Sequence, residues 1–211
     1  MLEGDEKVVM FTSTHPTEGK SFLASNIAVS LSYTGKKIIL VGLDVRKPQL
    51  YKVFNFARKN IGVTDYLTNP KEYQLDTLIR HLDQYPNLDL LHSGTIPPNP
   101  TELLMRERLG ILIDELKKRY DYIILDTAPI GLVTDTALIG RYADICVYVC
   151  RSGVTLKSSF EYINQLKAEK DFPKIASVVN GVQIVKTKHG YGRYGYGKQY
   201  GYGYEKEEKL K

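Results

Sequence analysis

Six short runs rich in Val, Ile and Leu punctuate the 211 residues: VVMF (8–11), IILV (38–41), LDLLH (88–92), DYIILD (121–126), ICVYVC (145–150) and IASVVN (175–180). They are near-continuously apolar rather than alternating, which marks strands covered on both faces. Helix-patterned stretches lie between them, an amphipathic 20–34, then 101–119, 134–141 and 156–169, with Gly35 placed to stop the first. Strands alternating with helices predict a doubly wound α/β domain built on a mostly parallel sheet of about six or seven strands. The interval 49–80 reads as shorter helical pieces broken by Tyr and Asn-Pro.

The first strand runs into a loop that carries chemistry. Positions 14–21, THPTEGKS, match the phosphate-binding pattern GxxxxGK[ST] except that Thr14 stands at the first glycine, and the required strand-loop-helix context is present. The nucleotide-binding candidates are therefore His15, Pro16, Thr17, Glu18, Gly19, Lys20, Ser21 and Phe22. Loop amides and the helix N-terminus would wrap a β-phosphate, Lys20 would reach the β/γ oxygens, and the Ser21 hydroxyl would hold Mg²⁺. Asp126 closes the apolar run DYIILD, and Asp44 with Arg46 closes IILVGLDVR. A doubly wound sheet opens its ligand crevice at such strand ends. Each residue has a blander use: Gly-Lys-Ser can start a surface helix, Asp126 can cap the next helix, and Asp44 can form a structural ion pair with Arg46.

Charge separates the chain into two parts. Residues 186–211 hold seven Lys/Arg against three Asp/Glu, or +4, while 1–185 hold 22 against 21, or +1. A near-neutral body argues against a nucleic-acid-binding domain. Cys146 and Cys150, four apart on an apolar strand, share a face and read as buried reduced thiols. No signal peptide opens the sequence, and no apolar run approaches the ~18–20 residues of a membrane span, so the expectation is a soluble chain. The division expected is a domain over 1–185 and a tail over 186–211. In that tail Tyr191, Tyr194, Tyr196, Tyr200, Tyr202 and Tyr204 alternate with glycines, and no aliphatic residue follows until Leu210. Such a stretch cannot bury enough surface to offset its ordering entropy, which predicts disorder and leaves six phenols exposed.

Together these residues resemble the bacterial tyrosine kinases of capsule and exopolysaccharide synthesis, themselves similar to P-loop ATPases of the MinD/ParA class. TSTHPTEGKSFLASNIA resembles that family's Walker A region, ILVGLDVRKPQL its Walker A′ and IILDTAPIGLVTDT its Walker B; LLHSGTIPPNPTELL, the strand ending VVNG and the tyrosine cluster also look like family sequence. The resemblance implies ATP and Mg²⁺ as cofactors. It implies Lys20, Asp44, Asp126 and Arg46 as catalytic residues, Ser21, Asp44 and Asp126 as metal ligands, and Asn180 as the adenine contact. The six tail tyrosines are the implied phosphorylation sites, modified in trans within a ring-like homo-oligomer. Implied partners are a membrane-spanning polysaccharide co-polymerase segment and a tyrosine phosphatase, at the cytoplasmic face of the bacterial inner membrane, with no nucleic acid.

Two departures stand out: Gly42 replaces the first aspartate of the family's D-x-D-x-R, and Thr17 stands where the family has glycine. Three other readings stay open. A MinD/ParA-type ATPase would carry a signature lysine where this chain has His15, a non-catalytic nucleotide-binding scaffold would account for Gly42, and an RNA-binding tail would account for its aromatics. His81, His92 and His189 lack ligand spacing, and the run 102–108, ELLMRER, reads as a solvated helix face or a subunit contact.

Overall fold

In the computed structural model, residues 6–57, 61–168, 172 and 174–182 are described. Strands and helices follow in the order β1 (Val8–Ser13), α1 (Lys20–Ser32), β2 (Ile38–Leu43), α2 (Leu50–Val53), α3 (Val63–Thr68), α4 (Leu75–Leu78), β3 (Ile79–His81), β4 (Leu88–Leu91), α5 (Pro100–Met105), α6 (Glu107–Arg119), β5 (Tyr122–Thr127), α7 (Asp135–Gly140), β6 (Ile145–Arg151), α8 (Ser158–Ala168) and β7 (Ile175–Asn180). One seven-stranded sheet, ordered β3-β4-β2-β5-β1-β6-β7, holds every strand among the described residues. Every pairing is parallel except β3 with β4. The expected doubly wound sheet is present. The six tail tyrosines lie outside the described residues.

Successive side chains of a strand point to opposite faces, and the core divides accordingly. Val8 and Met10 of β1 join Leu109, Leu112, Ile113 and Leu116 of α6 on one face, while Phe11 joins Ala24 and Ala28 of α1 on the other. The i, i+3, i+4, i+7 spacing on α6 is the signature of a helix that buries one stripe. Cys146 and Cys150 lie in the α6 side of the core as free thiols.

Four local expectations are corrected. The amphipathic helix expected at 20–34 instead buries a small-residue stripe, Ala24, Ser25, Ala28 and Ser32, which lets it sit close on the sheet. The helix expected over 101–119 is two helices, because Arg106 is extended at φ −63°, ψ 140°. The run 102–108 is not simply solvated: Arg106 donates to the Leu67 carbonyl at 3.2 Å, and Arg108 donates to the Tyr66 carbonyl at 3.1 Å with its guanidinium 4.2 Å from the Tyr66 ring centre. These contacts tie the α5–α6 junction to α3. Finally, 49–80 ends in the antiparallel edge strand β3, too short to register as a pattern in the sequence.

Candidate active site

The carboxyl ends of β1, β2 and β5 bring the sequence motifs together. Asp126 on β5 is in register with Phe11 of β1 and Gly42 of β2, so the Walker B carboxylate sits between the phosphate loop and the A′ segment. Gly19 turns the chain into α1 at φ 101°, a conformation that strains any residue with a Cβ. Lys20 Nζ then lies 3.3 Å from Asp44 Oδ2 and 4.0 Å from Asp126 Oδ1. Ser21 Oγ donates to Asp126 Oδ1 at 3.0 Å, and the second Asp44 oxygen accepts the Lys47 amide at 2.9 Å. Lys20, Ser21, Asp44 and Lys47 line a cleft of about 480 Å³ whose other walls include Phe22, Pro129 and Leu132, and Asp126 lies buried against Lys20 and Ser21.

Asp126 is 1% exposed. Burial pushes its carboxyl up to about 6, against the pull of Lys20 and Ser21, and neighbouring Asp44 adds to the rise. A carboxylate so raised is short of positive charge. Two carboxylates and one hydroxyl make a hard oxygen set of the kind Mg²⁺ takes when phosphate oxygens supply the remaining positions. The residues thus fit the ion; among the described residues no three His, Cys, Asp or Glu side chains converge as a dedicated metal cage.

Arg46 lines the same cleft, but its guanidinium does not meet Lys20 or pair with Asp44. It forks onto Asp135, Nε to Oδ2 at 2.5 Å and Nη2 to Oδ1 at 3.1 Å, and Nη2 also donates to Thr101 at 2.9 Å. Burial disfavours ionised Asp135, yet the bonds from Arg46 and Thr101 outweigh it and hold its carboxyl below the ordinary range. Arg46 therefore fastens the A′ segment to α5 and α7. Asn180 donates its side-chain amide to the Glu18 carbonyl at 3.1 Å, bracing the phosphate loop.

The departures from pattern have local explanations. Thr14, at the first glycine, shares a 2.8 Å hydrogen bond between its hydroxyl and that of buried Tyr148; burial pushes the Tyr148 phenol up to about 12, its bond to Thr14 opposing. Thr17 adopts φ 70°, the left-handed region that glycine fills freely and that costs a residue with a Cβ about 1 kcal/mol. A Cβ on Gly42 would lie 2.5 Å from Ser93 Oγ and 3.0 Å from the Ser93 amide nitrogen, so Ser93 takes the space a first A′ carboxylate would need. Reading the sequence missed Ser93, Asp135, Tyr148, Arg151 and Thr155. Only the last two carried a signal: RSGVT directly follows a strand, with a glycine to turn on, at the sheet's carboxyl edge.

Residues 6–167 match the AAA domain family. Over 94% of its length the chain is 35% identical to the tyrosine-protein kinase CpsD of Streptococcus pneumoniae, covering 87% of that protein. The chain belongs to the bacterial tyrosine-protein kinase family. A putative tyrosine-protein kinase in the cps region of Klebsiella pneumoniae is 41% identical over 72% of the chain, which spans only 20% of that longer relative. The kinase domain of the Escherichia coli tyrosine kinase ETK superposes with a TM-score of 0.79 at 29% identity, covering 90% of this chain and 73% of that one. Beyond the tyrosine kinases, the Pyrococcus horikoshii septum site-determining protein MinD, complexed with Mg-ADP, shares the fold at TM-score 0.67 and 19% identity.

Proposed function

We propose that this tyrosine-kinase family member transfers the γ-phosphoryl group of ATP to Tyr191, Tyr194, Tyr196, Tyr200, Tyr202 and Tyr204 of a neighbouring copy. The observation that carries the reading is the meeting of Lys20, Ser21 and Asp44 in one cleft, with Asp126 against Lys20 and Ser21, in a chain from that family. Residues 1–185 are the kinase domain and 186–211 the acceptor segment.

Phosphoryl transfer demands alignment and charge neutralisation rather than covalent chemistry from the protein. The loop from His15 to Phe22 cradles the phosphates, and Lys20 exchanges its carboxylate partners for β/γ oxygens. Ser21, Asp44 and Asp126 would hold Mg²⁺, which would offset the phosphate charge. Asp44 Oδ2, released from Lys20, stands ready to accept the proton of an incoming phenol, whose ordinary pKa is ~10. Arg46 keeps the A′ segment on α7 while this happens. Asn180, at the end of β7, borders the base.

Each phosphate adds about −1.5 to −2 charges, so six carry the acceptor segment from +4 to about −5 to −8. Repulsion between such segments loosens a ring of copies, which couples modification to capsular and exopolysaccharide synthesis and export. A tyrosine phosphatase resets the charge, and a membrane-spanning co-polymerase segment, in this or a partner chain, holds the kinase at the cytoplasmic face of the inner membrane. Among the described residues no helix is long and apolar enough to cross a membrane.

The test is mass-spectrometric mapping after incubation with Mg-ATP. Phosphate on residues 191–204, lost in Lys20→Met and Asp44→Asn, is the expected result. ATP bound or hydrolysed with every tail tyrosine unmodified refutes the assignment.

A further inference from the structure

The loop between β1 and α1 sorts its backbone groups by kind. The His15 carbonyl accepts the Ser13 hydroxyl at 2.8 Å, the Thr17 carbonyl accepts the Arg151 guanidinium at 2.8 Å, and the Glu18 carbonyl accepts the Asn180 amide at 3.1 Å. The Gly19 carbonyl accepts the Leu23 amide at 2.9 Å within the first turn of α1. By contrast, the amides of Thr17, Gly19, Lys20 and Ser21 have no carbonyl or side-chain partner among the described residues, while the turn at Pro16–Thr17 brings the Glu18 amide back toward the His15 carbonyl. Three loop carbonyls are consumed by side chains, and most of the amides that lead into α1 are kept. That is the polarity an anion requires, because a carbonyl turned inward would repel the phosphate that the amides attract.

Glu18 supplies the other half of the arrangement. Its side chain is fully buried, and one carboxylate oxygen accepts the His15 amide at 2.7 Å. The other accepts the hydroxyl of Thr155, whose oxygen in turn accepts the Arg151 amide at 2.7 Å. A buried carboxylate is tolerated when donors surround it, and here the second donor comes from outside the loop. The turn from Arg151 to Thr155, pivoting on Gly153 at φ 73°, thus reaches the loop twice, at the Thr17 carbonyl and at the Glu18 carboxylate.

We propose that Arg151 and Thr155, at the end of β6, are positioning residues that hold the phosphate loop with its carbonyls outward and so set its affinity for nucleotide. The proposal rests on the reading of this loop as a nucleotide site. Neither residue touches the cleft around Lys20; both act through Thr17 and Glu18.

The experiment is calorimetric titration of Mg-ADP into the purified chain and its variants, with steady-state kinetics on ATP and thermal melts without nucleotide. Thr155→Val, nearly equal in shape, should weaken Mg-ADP about tenfold, the scale of one charge-assisted hydrogen bond, and raise KM for ATP more than it lowers kcat. Thr155→Ser should restore binding to within about twofold. Arg151→Met, on the surface, should weaken binding with the nucleotide-free melting temperature unchanged, which covers the case in which Thr155→Val does not fold. Mg-ADP binding within twofold of wild type in both Thr155→Val and Arg151→Met overturns the proposal alone. A wild-type chain that takes up no Mg-ADP overturns the nucleotide reading and this proposal with it.

Discussion

Gly42 offers a sharp test of why the A′ segment lacks its first carboxylate. Gly42 is on a wholly buried strand, and an added Cβ would meet Ser93 Oγ at 2.5 Å, the Ser93 amide at 3.0 Å and a Leu50 methyl at 3.4 Å. The first contact is shorter than real Cβ contacts, so something must shift, and the neighbour is backbone-bound on a packed segment. Overpacking of this size costs roughly 1–3 kcal/mol, which is the expected loss for Gly42→Ala. Gly42→Asp adds an ionised group beside Asp126 in register, and a buried charge without a partner adds several kcal/mol more. Urea denaturation measures both. Ser93→Ala removes the hydroxyl that makes the closest contact, so the double variant Gly42→Ala/Ser93→Ala should recover about 1 kcal/mol relative to additivity. If Gly42→Ala costs under about 0.5 kcal/mol, or if Ser93→Ala gives no recovery, the steric account of the missing carboxylate fails.

Three further outcomes follow from other parts of the molecule. Burial, with a smaller push from Arg80, lowers the His92 imidazole to about 4, against an ordinary 6.5. The unfolded chain therefore binds the extra proton between those values: this contribution to stability is complete above about 6.5, is lost as pH falls toward 4, and totals roughly 3 kcal/mol. His92→Phe should flatten that acid limb in urea midpoints compared at pH 7.5 and pH 4.5, and an unchanged slope would exclude it. Tyr148→Phe strands the buried Thr14 hydroxyl and should cost about 1–2 kcal/mol in thermal or urea unfolding, largely recovered in Thr14→Val/Tyr148→Phe. Asp135→Asn leaves Arg46 without its ion pair and should lower kcat for tail phosphorylation about tenfold while Mg-ADP affinity stays within about twofold, since Arg46 acts on the A′ segment rather than on the phosphate loop.

Much of the candidate site was legible because its parts are local. A strand entering TEGKS and a strand ending in Asp126 each declare themselves by order along the chain, and a parallel sheet leaves their ends at one edge. Arg46 shows where that reasoning stops. Its sequence neighbour Asp44 suggested a pair, yet Asp135, 89 positions away, takes the guanidinium. The α5–α6 break at Arg106 was hidden for the same reason: the run is a good helix former throughout, and carbonyls of α3 decide the bend.

The sequence alone determined the alternation of strand and helix, the glycine-lysine turn before α1 and the strand-end carboxylates, because periodicity and short motifs depend only on neighbours in the chain. Tertiary structure alone decided that Ser93 fills the place of a missing carboxylate, that Tyr148 answers Thr14, and that Arg151, Thr155 and Asn180 bond to Thr17 and Glu18 of the loop. Those partners lie tens to more than a hundred residues apart, and hydrogen bonds and steric contacts act through distance in space, which chain order does not encode.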